Sequence, residues 1–166
     1  MSAASVTLRP LKDGDEEFSR LVYAESRREE LDQVEWEEGA REAFLGMQFH
    51  AQSKHYFQHY PGAQFSIIES ENQLVGRLFV ARWPREIRVI DIALIPPARG
   101  RGIGGALLRE ILEEALEAGK TVTIHVEKQN PALTLYRRLG FHPIEDKGVY
   151  WLMEWSPRQR ASAGST

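Results

Sequence analysis

The stretch from Ile87 to Glu127 does most to limit what this chain can become, because it reads as strand, glycine loop, helix and strand in unbroken succession. IRVIDIALI is β-branched and almost continuously apolar, as a central strand buried on both faces would be. Pro96 and Pro97 stop it. Beyond GRGIGG, the residues Leu107, Leu108, Ile111, Leu112, Ala115 and Leu116 share one broad helical face, and Gly119 supplies a C-terminal stop. Thr121 to Glu127 (TVTIHVE) then returns as a strand parallel to the first, which makes a right-handed βαβ unit. Such a unit buries its apolar surface only as a sheet with a helix laid on it, so the chain reads as α/β.

The loop in this unit carries chemistry. Gly100 to Gly105 spells G-x-G-x-x-G, and glycines at a helix start let backbone N–H groups and the helix dipole approach an anion. A nicotinamide dinucleotide is one reading, with Glu127 at the end of the next strand as a ribose ligand. Against it, Ile95 to Arg99 (IPPAR) separates the strand from the glycines, and only one convincing βαβ unit is present, which leaves no room for a second mononucleotide half. A P-loop fails because no Lys-Ser or Lys-Thr follows the glycines.

The flanks add further elements. Val6 to Leu11 alternates like a strand, and Asp13 or Asp15 is placed to cap a helix carrying Phe18, Leu21, Val22 and Glu25. Leu31 to His59, with apolar Phe44, Leu45, Met47 and Phe49, reads as one helix or two ended by Pro61-Gly62. FSIIE and LVGRLFVA flank the turn-like SENQ as a hairpin, with Gly76 marking a bulge. Leu133 to Leu139 makes a short helix closed by Gly140, and Phe141–Glu145 and Val149–Trp155 make an antiparallel pair. One domain over residues 1–156 and a disordered tail over 157–166 are expected.

Composition narrows the partners. The chain has 166 residues, 42% of them hydrophobic and 27% charged, enough for a single unstapled core. No apolar run approaches the roughly 20 residues that span a bilayer, and the N-terminus lacks the pattern of a secretory signal, so a cytoplasmic protein without membrane contact is expected. A net charge of −3 offers no basic face for nucleic acid. With no cysteine, disulfides, thiolate metal sites and a Cys nucleophile are excluded.

A second motif changes the weight of the first. Asn130 to Phe141, NPALTLYRRLGF, taken with Arg99 to Gly104, RGRGIG, resembles the GCN5-related N-acetyltransferase (GNAT) family. The family loop Gln/Arg-x-x-Gly-x-Gly/Ala is met at Arg99, Gly102 and Gly104. The signature Asn-x-x-Ala-x-x-Leu-Tyr-x-x-x-Gly-Phe is met at Asn130, Leu135, Tyr136, Gly140 and Phe141, with the alanine shifted and one residue fewer after Asn130. The resemblance covers about Val6 to Trp155 and implies an α/β (α+β) acyl-CoA N-acyltransferase fold. That fold is a mixed, mostly antiparallel sheet with a central splayed parallel pair flanked by helices.

It further implies acetyl-CoA as cosubstrate. Ile92, Ala93 and Leu94 would pair with the pantetheine arm, and Gly100, Arg101, Gly102, Ile103, Gly104 and Gly105, with Arg99, would receive the pyrophosphate. Asn130 would bind pantetheine or cap the short helix. Tyr136 would be the general acid, and His125 or Asp91 the base unless solvent deprotonates the amine. The acceptor would be a small-molecule or peptide amine, and the sequence does not name it. The long central segment and the C-terminal strands resemble a bacterial branch of the family, whose members often form homodimers, though no stretch here specifies an interface. A non-catalytic acetyl-CoA sensor or scaffold and the NAD-binding oxidoreductase stay open as alternatives.

Other clusters are weaker. His55 and His59 are spaced i, i+4, yet no third ligand is apparent and no metal is expected. Glu29, Glu30, Asp32, Glu35, Glu37 and Glu38 would attract a cationic amine or form the wet side of a helix. Trp36, Phe49, Tyr56 and Tyr60 would line an acceptor pocket or belong to the core.

Overall fold

The structure, a computed structural model, describes residues 5–157, so all but the first residue of the expected tail lies outside the described residues. Its elements are β1 (Val6–Pro10), α1 (Glu16–Leu31), α2 (Ala40–His59), β2 (Gln64–Ser70), β3 (Gln73–Arg82), β4 (Glu86–Leu94), α3 (Ile103–Ala118), β5 (Thr121–Glu127), α4 (Leu133–Leu139), β6 (His142–Lys147) and β7 (Tyr150–Trp155). The strands form a seven-stranded sheet in the order β1-β2-β3-β4-β5-β7-β6. β4 and β5 are parallel, whereas β1/β2, β5/β7 and β6/β7 are antiparallel. This is the mixed sheet expected and not a doubly wound one.

The chain divides into two compact units, Met1–Phe79 with Ile92–Ile103, and Val80–Asp91 with Gly104–Thr166. In the first, Tyr23, Leu31, Leu45 and Phe49 form a buried cluster against which Trp36 and Phe44 pack. Of the aromatic residues weighed as pocket lining, Phe49 is therefore core, and Trp36, half-buried, packs against it. Met47 is 61% exposed despite its apolar neighbours, because α2 turns only the Leu45/Phe49 stripe inward. The hairpin forms as expected, with Glu71 and Asn72 at positive φ in its turn.

Arg77 on β3 is buried under both helices, donating to Ser19 Oγ at 2.9 Å and Gln52 Oε1 at 2.6 Å while lying over the Phe79 ring. Asp15 does not cap α1 with its side chain. A 3-10 turn at Asp13–Asp15 precedes the helix, and the Asp15 carboxylate instead accepts two bonds from Arg9, at 2.7 and 2.8 Å, and one from the Lys12 N–H. A bidentate guanidinium satisfies more of the carboxylate than a helix amide would, so the brace to β1 wins.

In the second unit, Leu107, Leu108, Ile111, Leu112 and Ala115 are buried together with Val122, Ile124 and Val126 of β5 and with Met153 and Trp155 of β7. Leu116, expected on the same helical face, is 46% exposed at the helix end. Gly119, at φ 68°, stops α3, and Gly140, at φ 105°, closes α4. Arg82 clamps Glu114 through two bonds of 2.6 and 2.9 Å, which fastens the end of β3 to α3.

Candidate active site

The strand IRVIDIALI departs from expectation where it matters. Ile87 and Val89 are fully buried, but Ile90 to Leu94 are only half-buried. The parallel register explains why. It runs from Glu86↔Thr121 to Val89↔Ile124 and ends there, although β4 continues to Leu94 and β5 to Glu127. Ile92 to Leu94, half-buried at the end of β4, lie in the first unit, and the backbone of such a strand end can accept an extended ligand as an added strand.

Within the first unit, the end of β4 is pressed close to β3. A Cβ on Gly76 would lie 2.2 Å from the Ala93 carbonyl oxygen and 2.9 Å from a Leu94 methyl group. Only a glycine admits that approach; the sequence reading took Gly76 as a bulge, and what the structure shows there is this close approach of backbone. After β4, a 3-10 turn at Pro96–Ala98 buries Ala98, and Arg99 donates from Nε to the Leu94 carbonyl at 3.0 Å. Gly100 and Gly102 follow at φ 72° and 81°, conformations that side chains resist, and nothing stands within 4 Å of either where a Cβ would project. Arg101 is exposed and Ile103 is buried, anchoring the start of α3. The first turn of α3 contains no acidic residue. A glycine loop at the positive end of a helix suits an anion.

Within the second unit lie the groups able to move protons. Asn130 Oδ1 accepts from the Ala132 N–H at 2.9 Å, and its backbone carbonyl accepts from the Leu133 N–H at 3.1 Å, which starts α4. That helix carries Tyr136, 6% exposed, with its ring against Phe141 at 6.0 Å. Burial, reinforced by the negative charge of Asp91, pushes the Tyr136 hydroxyl up to about 12. Tyr136 and Asp91 therefore act on one another.

His125 is elsewhere. Val89 faces Ile124 across the parallel pair, so Asp91 points to the Ile124 side of the sheet and His125, one residue on, to the other. There it is exposed, in the row with Thr123, whose hydroxyl binds Glu86 and Arg88. Partial burial of the ring, then Arg88 and Lys147, depress the His125 pKa below its ordinary 6.5, with Glu145 acting in the opposite sense. The imidazole is thus neutral at pH 7 and can accept a proton, while the tyrosine is protonated and can donate one. The expected catalytic residues fall into a coupled pair and a histidine on the opposite face.

The remaining candidates do not converge. The His55 and His59 rings stack at 4.1 Å on an exposed face of α2. Among the described residues no group of three or more His, Asp or Glu could hold a metal, and no helix is long and apolar enough to cross a membrane. The acidic residues from Glu29 to Glu38 are all exposed, and two of them are engaged in ion pairs, Glu30 with Arg27 and Asp32 with Arg41. Tyr56 packs edge-on against Phe79.

Residues 25–141 match the model of the acetyltransferase (GNAT) family. Among curated proteins, the chain is 28% identical over 96 residues to the [ribosomal protein bS18]-alanine N-acetyltransferase of Haemophilus influenzae, covering 57% of this chain and 65% of that protein. It is 40% identical over 98 residues to the N-alpha-acetyltransferase RimI of Mycobacterium tuberculosis, covering 56% and 58%. The matched stretch thus spans less than two thirds of either relative. Among solved structures, PaiA N-acetyltransferase from Thermoplasma acidophilum, determined with coenzyme A, has the same fold. Its TM-score is 0.68 at 19% identity, with 92% of this chain and 99% of that one aligned.

Proposed function

This chain belongs to the acetyltransferase (GNAT) family, and on that premise we propose that it is an acetyl-CoA-dependent N-acetyltransferase of the bacterial cytoplasm, passing the acetyl group directly to an amine. The observation that carries the reading is the register of β4 and β5, which ends at Val89↔Ile124 just ahead of the glycine loop. The residues present fit the cosubstrate. The backbone of Ile92, Ala93 and Leu94 would take the pantetheine arm, and the amides of Gly100, Gly102, Ile103, Gly104 and Gly105 the pyrophosphate, with Arg99 and Arg101 adding positive charge. Asn130 would hold the start of α4, and thereby Tyr136, in place.

When bound, acetyl-CoA supplies an activated acyl group. The protein supplies the proton transfers around it. His125, kept neutral by its surroundings, takes the proton of the attacking amine as the N–C bond forms. Tyr136 would supply the proton that the departing thiolate needs, and burial together with the negative charge of Asp91 keeps that proton on the hydroxyl. Acid and base stand on opposite faces of the sheet and so do not neutralise one another. Two curated relatives are named as a [ribosomal protein bS18]-alanine N-acetyltransferase and an N-alpha-acetyltransferase, so peptide amines stand first in an acceptor panel with polyamines beside them.

The test is Tyr136→Phe, followed by thiol release across that panel. The expected result is a fall in kcat of about 100-fold or more with acetyl-CoA affinity held within about twofold. Wild-type protein that binds acetyl-CoA yet releases thiol with no amine would point instead to a sensor or scaffold.

A further inference from the structure

Tyr136 sits on a helix of seven residues, too short to be stable by itself. The N-cap of that helix, Ala132, makes no side-chain capping bond, and its first turn contains no acidic residue. Its start is fixed instead by the turn at Asn130, whose N–H donates to the Glu127 carbonyl at 3.0 Å. Between the end of β5 and that turn stands Lys128, a residue the mechanism above does not use.

Lys128 is held from three directions. Its N–H donates to the Val149 carbonyl at 3.0 Å, its ammonium donates to Asp146 Oδ1 at 2.6 Å, and the same Nζ lies 4.4 Å from the centre of the Trp151 ring. Asp146 Oδ1 also accepts from the N–H of Gly148 at 3.0 Å, in the turn between β6 and β7, which aims the carboxylate at the lysine. The Lys128 bond, and after it the Gly148 N–H, hold the Asp146 carboxyl below its ordinary 3.8, so it is charged at neutral pH. Asp146 pairs with Trp151 and Trp151 with Val126, in line with Ile124 and Val89, so these contacts lie on the face of the sheet that carries Asp91 and not on the face of His125.

Lys128 and Asp146 are 18 residues apart, and the chain between them runs through the Asn130 turn, α4 with Tyr136, Phe141 against the tyrosine ring, and β6. The ion pair closes that path into a ring. We propose that Lys128 is a positioning residue for Tyr136, because its clasp on Asp146 and Trp151 closes the loop that carries the acid and so fixes the seat of the hydroxyl. The inference rests on the reading of Tyr136 as general acid. With the Asp146 side chain 60% exposed, the pair adds little to global stability, so its effect belongs to turnover and not to unfolding.

Wild-type protein, Lys128→Met, Lys128→Arg and Asp146→Asn are compared by thermal unfolding, by acetyl-CoA titration and by thiol release with the fastest amine of the peptide and polyamine panel. The expected result is a fall in kcat of about tenfold in Lys128→Met and Asp146→Asn alike, with melting temperature and acetyl-CoA affinity close to wild type. Lys128→Arg should return kcat to within about twofold of wild type, since a guanidinium can both pair with the carboxylate and stack on the indole. In a Tyr136→Phe background Lys128→Met should lower kcat no further, because the group it positions is gone. Wild-type kcat in Lys128→Met overturns the proposal, as does a loss of the same size in the Tyr136→Phe background, which would mark a role apart from the acid. If Lys128→Met does not fold, Asp146→Asn decides by the same cycle, and a failure of both to fold marks a structural brace and overturns the proposal. Unchanged kcat in Tyr136→Phe alone, or wild-type protein that releases thiol with no amine, overturns the general-acid reading itself and the role of Lys128 with it.

Discussion

Asp15 shows how a single residue ties sequence to stability. Its carboxyl is held down at about 2, below the ordinary 3.8, chiefly by the hydrogen bonds from Arg9. The unfolded chain therefore binds this proton more readily than the folded one, and the stabilisation is complete above the ordinary value and lost as pH falls from 3.8 toward 2. Asp15→Asn is expected to lower the unfolding free energy by about 2 kcal/mol at pH 7 and to flatten the acid decline in that interval, measured by urea unfolding against pH. An unchanged acid slope would show that the brace does not act in solution. His125 gives a second, independent pH test. With its pKa depressed, the acid limb of the kcat profile should lie below 6.5, because the protonated ring cannot accept the amine's proton. His125→Gln should abolish that limb and reduce kcat about 100-fold. A limb that survives the substitution would assign the base to Asp91 or to solvent.

Among the elements, β4 has the most to say about what a sequence conveys. The run IRVIDIALI identified a central strand correctly, and the strand, helix and parallel strand around the glycines formed as expected, because their apolar periodicities are unambiguous. The same run implied burial on both faces, yet Ile90 to Leu94 are half-buried. Hydrophobicity alone does not distinguish a strand covered by protein from one that a ligand would cover. The junction of α1 and α2 was also open in the sequence, since the charged segment between Leu31 and Ala40 follows neither period. Of the site, Tyr136 and the glycines were legible from local motifs, whereas the opposite faces of Asp91 and His125 depend on the register between strands far apart in sequence. The close approach of β4 to Gly76 yields a prediction at this scale. Gly76→Ala should destabilise the protein by about 1–3 kcal/mol, since the new methyl group meets backbone and not a movable side chain, and should weaken acetyl-CoA binding. Gly14→Ala, where nothing stands within 4 Å, is the control expected to leave both within error, by thermal unfolding and calorimetry.

For the whole molecule, the claim that unites these details is that the glycine loop and the strand end beside it bind acetyl-CoA. The same loop spells a dinucleotide fingerprint, so the two cofactors make competing demands on one motif. The sheet favours the first, because β5 is followed by antiparallel β7 and β6 and not by a second parallel half. A ligand that binds only the folded chain raises its stability by about 2.7 kcal/mol at 100 times its Kd, which for a chain of this size moves the melting temperature by several degrees. The most direct measurement is therefore thermal unfolding of the purified protein across matched concentration series of acetyl-CoA and NADH. A concentration-dependent rise with acetyl-CoA and none with NADH is the result this account predicts; a rise with NADH alone would contradict it.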